Sequence, residues 1–283
     1  MRSRGNIQKI VDELLSLKTE SAWREYLHQK ANVRTVLYHY TTFSKLKSIL
    51  KSRQWLVGRT DRSNDPAETK IYCLSFSRGL GTMAMWGNYS RPAGNGVRIR
   101  FDLRGITNFK EIFRITEEAG LSSDPKLPRG TMYDVAYYHA SEGHGNCLEY
   151  DGITLWGTSQ PWSVDEKEWP CFLKSEIWRD ENETRIVYSF GKSKAKYLKI
   201  SLADLDFSKL TFELAPDFLL PGNVRPDEGM KNRIIQAIFG KTFLRDNKIS
   251  LTQFVLAPPD SQANLSKSRK NLFKAAVQKI LNK

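Results

Sequence analysis

No stretch of this 283-residue sequence approaches the ~20 consecutive apolar residues that a membrane-crossing helix needs. The N-terminal segment MRSRGNIQKIVDELL has two early arginines but neither an apolar signal core nor a small-residue cleavage site. These absences predict a soluble, cytoplasmic protein with no membrane partner. Cysteine is scarce: Cys73, Cys147 and Cys171 are odd in number and far apart, which argues against a disulfide framework. His139, His144 and Cys147 are zinc-ligand types within nine residues, yet no C-x-x-C or H-x-x-x-H pair anchors them, so no metal site is expected. Internal repeats, low-complexity tracts and recognised nucleic-acid-binding motifs are also missing. Acidic residues run short against basic ones. The 44 Lys plus Arg against 31 Asp plus Glu leave a net charge of +13, which draws the chain toward a polyanion, most commonly nucleic acid.

What is present suffices for a folded core, since 40% of the residues are hydrophobic. Residues 7–30 carry Ile7, Ile10, Val11, Leu14, Leu15 and Leu17 at helical spacing and predict one helix. A strand over 36–40 leads into a helix over about 43–51 with Phe43, Leu46, Ile49 and Leu50 on one face. Further strands are expected at 55–58, 71–77, 96–103, 132–139, 184–190 and 253–257, and a helix at 230–239. CFLKSEIW (171–178) reads as a helical turn or two, and the Gly-rich stretch 140–165 as an ordered loop with some local strand. KSRKNLFKAAVQKILNK at the C-terminus has a basic amphipathic pattern. Together these predict a single α+β domain: an N-terminal helical segment 1–34, a core 35–200 and an extension 201–283.

Four clusters of polar residues bear on chemistry. SRGLGTMA places Gly79, Gly81 and Ala84 in a G-x-G-x-x-A pattern, but Pro92 stops the following helix too early for a dinucleotide fold. NDPAETK holds Asp65, Glu68 and Lys70 in one loop, a weak match to a metal-dependent nuclease. VLYHYTT sets Tyr38, His39, Tyr40 and Thr41 at a strand-to-helix turn, where a plain connection would use Gly, Asp or Asn. In IWRDENETRIVYSF, Glu181, Glu183 and Arg185 alternate, so a strand entered there would point all three to one side. Two carboxylates on one face repel, and at least one should be hard to ionise unless a cation such as Arg185 relieves it. The bland alternative is a solvated strand edge with a salt bridge.

The order HYT, NDP-E, S-F-S, MWGNYS, GVRIRFD and W-x-x-E-x-E-x-R across roughly residues 35–190 resembles a family of uncharacterised bacterial proteins. That family is in turn similar to the ADP-ribosyltransferase fold, in which split, twisted small sheets with flanking helices cradle NAD. The resemblance implies that His39 holds the NAD ribose, with Tyr40 beside it and Thr41 as the hydroxyl two places on. It implies that Ser75 and Ser77 form the S-x-S strand flanking the nicotinamide and that Tyr89 is the stacking aromatic. Glu183, with Glu181 before it, would be the catalytic carboxylate pair. Arg78, with Arg59 and Arg62, is basic and near enough in sequence to meet the pyrophosphate.

The function implied is an NAD-dependent ADP-ribosyltransferase, using NAD as co-substrate and no metal. A toxin or phage-defence effector is the expected role, with a nucleic-acid or protein acceptor and an antitoxin or inhibitor protein as a partner. Two other readings stand beside it: a non-catalytic nucleic-acid-binding accessory protein, and a metal-dependent nuclease built on Asp65.

Overall fold

The structure, a computed structural model, describes residues 4–17, 19–58, 72–79, 83–89, 96–113, 117–118, 130–141, 145–151, 153–156, 173–188, 197–216 and 225–257. The elements open with α1 (Arg4–Ser16), α2 (Glu20–Asn32), β1 (Val36–Thr42), α3 (Phe43–Ser52), β2 (Gln54–Gly58) and β3 (Tyr72–Ser77). Next come α4 (Met83–Tyr89), β4 (Gly96–Asp102), α5 (Phe109–Ile112), β5 (Glu117–Glu118), β6 (Gly130–Asp134) and β7 (Ala136–Ser141). Then follow β8 (Gly145–Tyr150), β9 (Ile153–Trp156), β10 (Leu173–Ser175), a 3-10 turn (Glu176–Glu181), β11 (Glu183–Tyr188) and β12 (Tyr197–Ser201). The series closes with β13 (Leu210–Leu214), α6 (Glu228–Phe239), α7 (Lys241–Asp246) and β14 (Phe254–Leu256). Helices and mostly antiparallel sheets in this mixture make the fold α+β. Among the described residues no helix is long and apolar enough to cross a membrane. NDPAETK, Arg59, Arg62, His144, Cys171 and the basic C-terminal segment lie outside the described residues.

The chain divides into two compact units, each gathered from three separate stretches. Unit 1 takes Met1–Arg34, Leu56–Ser75 and Phe113–Lys199; unit 2 takes Thr35–Trp55, Phe76–Ile112 and Ile200–Lys283. In unit 1, β7 pairs with β8 and β8 with β9 antiparallel, while β10 lies parallel to β7. β11 pairs antiparallel with β6, and α2 lies against β6. The core there is Leu14, Trp23, Tyr26, Leu27, Tyr133, Ala136, Leu148, Tyr150 and Val187.

Three expectations for this unit change. The helix expected over 7–30 is two helices, because Thr19 takes an extended conformation and its hydroxyl accepts the Ala22 N–H at 3.2 Å, capping α2 instead of continuing α1. The strand expected over 132–139 divides at Val135, where the chain leaves its pairing with β11 and joins β8 and β10. Asp134 pins that corner: its buried carboxylate accepts from Tyr150 Oη at 2.8 Å, Thr184 Oγ1 at 2.5 Å and Arg34 Nε at 2.9 Å. CFLKSEIW is a strand and then a 3-10 turn, not a helix; a short apolar run does not reveal its own period, and pairing with β7 settles it.

In unit 2 the strand order is β14-β13-β4-β1-β3, antiparallel apart from the β13–β14 pair. β4 alternates as expected: Val97, Ile99 and Phe101 stand opposite Thr41, His39 and Leu37 on one face of the sheet. Arg98 and Arg100 stand opposite Tyr40 and Tyr38 on the other. α3 buries Phe43, Leu46 and Leu50 and begins at Thr42, whose hydroxyl accepts the Lys45 N–H. α4 runs for only seven residues, too short for the helix of a dinucleotide-binding βαβ unit.

Gly130 is the tightest point in unit 1. It stands opposite Tyr188 across β6–β11, and the Tyr188 hydroxyl donates to Phe113 O at 2.7 Å. A Cβ at Gly130 would come within 2.5 Å of Phe113 O and 2.6 Å of both Ile186 Cγ2 and Tyr188 Cε1, so the aromatic side chain needs a residue without one. Gly130→Ala is expected to cost about 1–3 kcal/mol through overpacking. Urea unfolding checks this, and an unchanged midpoint would show that the neighbours yield freely.

Candidate functional site

The densest group of buried charge lies in unit 1. β10 runs parallel to β7 with Lys174 in register with Tyr137, which carries the lysine inward. The chain then makes the 3-10 turn that ends at Glu181, passes Asn182 in the left-handed region at φ 44°, and enters β11 at Glu183. Asparagine tolerates that conformation better than most residues with a Cβ. The reversal presents Glu181 and Glu183 to the same ammonium. Lys174 Nζ lies 2.6 Å from Glu181 Oε2 and 3.5 Å from Glu183 Oε2.

Arg185, two residues along β11, adds Nε at 3.0 Å and Nη2 at 2.7 Å from Glu183 Oε2. The Ser75 side chain also hydrogen-bonds Glu183, and the Glu183 N–H donates to Tyr137 Oη at 2.9 Å. All four charged residues are nearly sealed from solvent: Lys174 is 6% exposed, Glu181 2%, Glu183 4% and Arg185 1%. Two cations thus face two carboxylates, and the cluster is neutral as a whole, which is the condition for burying charge.

Its electrostatics follow from that balance. Burial pushes the Glu183 carboxyl up, but Arg185, Lys174 and the Ser75 hydroxyl outweigh it and hold Glu183 below the usual glutamate range. Burial likewise works against the Lys174 charge and Arg185 opposes it, yet Glu183 and Glu181 together keep the ammonium above its usual value.

The expectation that Glu181, Glu183 and Arg185 alternate along one strand is corrected here. Glu181 ends the 3-10 turn, so alternation holds only for Glu183 and Arg185. The two carboxylates nonetheless meet, through Lys174. That lysine was not singled out from the sequence, because the run that carries it reads as a helical turn. Its only signal is a lysine inside an apolar stretch. The solvated strand edge does not apply, since all of β11 is buried.

The remaining expected residues that the structure describes belong to unit 2. His39 is half-buried, its ring edge-on to Trp55 at 4.6 Å and to Phe76 at 5.9 Å. Strand alternation puts it on the face opposite Tyr38 and Tyr40. Thr41 is buried on the His39 side.

Tyr40 joins a different constellation, in which its hydroxyl accepts from Arg98 Nη1 at 2.8 Å. Burial raises the Tyr40 pKa, against the pull of Arg98. The buried Arg98 guanidinium lies 4.3 Å from the Tyr38 ring centroid and 5.5 Å from that of Trp86, and it pairs with Glu213. Tyr89 is half-buried against this group. Ser77 is buried, its hydroxyl donating to Gly79 O at 3.4 Å, and Arg78 follows it, half-buried. Among the described residues no three His, Cys, Asp or Glu side chains gather as metal ligands.

The chemistry open to the unit 1 cluster is that of a fixed, ionised carboxylate next to a second one, both oriented by a shared ammonium. Such a pair can stabilise a developing positive charge without reorganising. No protein-family model, curated protein or solved structure matches the chain.

The balance can be read by pH. Glu183 is depressed in the folded state, so its contribution is complete above the ordinary glutamate pKa of about 4.3 and fades as pH falls through its lower folded value. Lys174→Met is expected to cost about 3–5 kcal/mol at pH 7.5 by stranding a buried carboxylate. Protonation relieves a stranded buried carboxylate, so the deficit should narrow at pH 5.5, where Glu183 of the wild type is still ionised. Paired urea melts at the two pH values measure it. An equal deficit at both would mean that Lys174 contributes packing and not charge.

Proposed function

We propose that this protein is an NAD-dependent ADP-ribosyltransferase with an ADP-ribosyltransferase-like fold, a toxin or defence effector that modifies a nucleic-acid or protein acceptor. The observation that carries the reading is the hydrogen bond between Ser75 and Glu183. It joins the S-x-S strand to the E-x-E segment, two blocks 108 residues apart in sequence that the family resemblance assigns to one catalytic centre. The mostly antiparallel sheets with flanking helices support the fold.

In this reading the bond between the ribose C1′ and the nicotinamide nitrogen breaks, and nicotinamide leaves with the electron pair. Positive charge develops on the ribose, as in glycoside cleavage. Glu183 suits the stabilising role, because Arg185 and Lys174 keep it ionised and its position on β11 is rigid. Glu181 then orients the acceptor nucleophile and takes its proton as the new bond to C1′ forms. Lys174 holds the two carboxylates at one spacing and makes their joint ionisation tolerable.

A second reading has its own support. The saturation of Glu183 by Arg185, Lys174, Ser75 and burial also suits a structural carboxylate in a nucleic-acid-binding accessory protein. The two readings separate at Glu183. Purified protein is incubated with NAD labelled in its adenylate phosphate and with separate pools of RNA, DNA and protein. Label on one pool, reduced on the order of 10²–10³-fold by Glu183→Gln and less by Ser75→Ala, supports the transferase and identifies the acceptor class. Melting curves of both variants show that they remain folded. Intact NAD and unlabelled pools with the wild type overturn the transferase and leave the accessory reading.

A further inference from the structure

Between residues 35 and 55 the sequence has Lys45, Lys47, Lys51 and Arg53 and no Asp or Glu. The structure sorts these cations. Lys47 turns to α6, its Nζ donating to Ile238 O at 2.9 Å, while Phe43 meets Phe239 with ring centroids 6.0 Å apart. α3 therefore lies beside the α6–α7 corner within unit 2. The solvent side of α3 is left to Ser44, Lys45, Ser48, Lys51 and Ser52, all exposed and all within one arc of the helix.

The neighbouring chain extends the same character. Arg53 lies over the Phe207 ring at 4.1 Å, and the exposed Lys209 follows two residues on. α7 begins at the exposed Lys241, and Lys248 lies just beyond its end. The exposed acids along these stretches are Asp204, Asp206 and Asp246; Asp246 pairs with Arg245, and the Ser208 hydroxyl and N–H, then Lys209 and Lys248, hold the Asp206 carboxyl below the usual range.

Two features separate this surface from an ordinary solvated face. Neither α3 nor α7 has an acidic residue in its first turn, and Lys45 and Lys241 stand there instead, where the helix dipole disfavours a cation. Local stability would place the charge elsewhere, so its position serves something outside the helix. Hydroxyls also alternate with the ammonium groups along α3, and Lys, Arg and Ser side chains together are the usual partners of phosphate oxygens. A membrane surface fits less well. The exposed large apolar residues described are Leu15, Val33, Leu56, Tyr197 and Val255, none of them on α3, α6 or α7, so the patch has no apolar anchor for insertion.

We propose that the solvent face of α3, with Arg53, Lys209, Lys241 and Lys248 beside it, binds the phosphodiester backbone of a nucleic acid without regard to its base sequence. The surface does not depend on the transferase reading, because it acts without NAD and without Glu183.

The test uses the full chain with a fluorescent 30-nucleotide RNA, a duplex DNA of the same sequence, and vesicles of phosphatidylserine and phosphatidylcholine. Anisotropy is read from 50 to 300 mM salt without NAD. The variant Lys45→Gln/Lys51→Gln/Lys241→Gln should bind nucleic acid at least tenfold more weakly at 100 mM salt. Its slope of log K against log[salt] should also be shallower by about 2, at roughly 0.7–0.9 for each phosphate that the protein no longer neutralises. The control Lys9→Gln/Arg179→Gln/Lys199→Gln removes the same charge from unit 1 and should bind like the wild type. Equal loss in the control would mean that net charge alone drives binding, and the surface assignment falls. Binding to the vesicles but to neither nucleic acid overturns the proposal in favour of a membrane, and binding to no probe at 50 mM salt overturns it outright. Thermal melts of each variant confirm that it is folded.

Discussion

A buried ammonium group, Lys174 Nζ, is the constraint around which unit 1 is arranged. It lies 2.6 Å from Glu181 and 3.5 Å from Glu183, and both carboxylates are almost entirely out of water. Removing any one charge from a buried set leaves the others uncompensated, at a cost of several kcal/mol. The cluster therefore behaves as a single object. β10 must pair in register with β7 to bring Lys174 in, the 3-10 turn must reverse the chain at Asn182, and β11 must begin at Glu183 so that Arg185 closes the balance.

The second polar network, Arg34–Asp134–Tyr150–Thr184, reinforces that arrangement at the same end of the β6–β11 pair, where Thr184 stands opposite Asp134. Asp134 fixes the corner where the chain passes from β6 to β7, and β7 is the strand on which β10 aligns. Thr184, one of the donors to Asp134, is next to Glu183 on β11. A hydrogen-bonded corner and a charge-balanced cluster thus share two strands, which gives Glu183 a position set by the sheet, while Glu181 is placed by the 3-10 turn before it. Buried ion pairs of this kind specify geometry more reliably than they add stability.

Unit 2 divides its resources differently. One face of β1 and β4 is apolar and aromatic, with His39 drawn into it by Trp55 and Phe76. The other holds Arg98 between Tyr38, Tyr40, Trp86 and Glu213. The same YHY triplet supplies both faces because strand side chains alternate. On α3, unit 2 turns Lys47 to the Ile238 carbonyl and leaves Lys45 and Lys51 exposed.

Composition, patterning and turn chemistry determined much of this protein without help from the fold. The helices α3 and α6 follow from local periodicity, since each buries one face whose spacing is written in the chain, and the strands β1, β3, β4 and β11 follow from short runs rich in β-branched and aromatic residues. The E-x-E-x-R segment was legible as a charged element for the same reason. The tertiary structure decided the rest. Thr19 interrupts a helix that its apolar spacing would continue, because its hydroxyl caps the next one. LKS is a strand only because β7 lies beside it, and Lys174 becomes the centre of a charge cluster only after that pairing forms. His39 meets Trp55 and Phe76 only once the strands have assembled. Long-range pairing and desolvation are properties of the assembled chain, and they chose which charged residues meet.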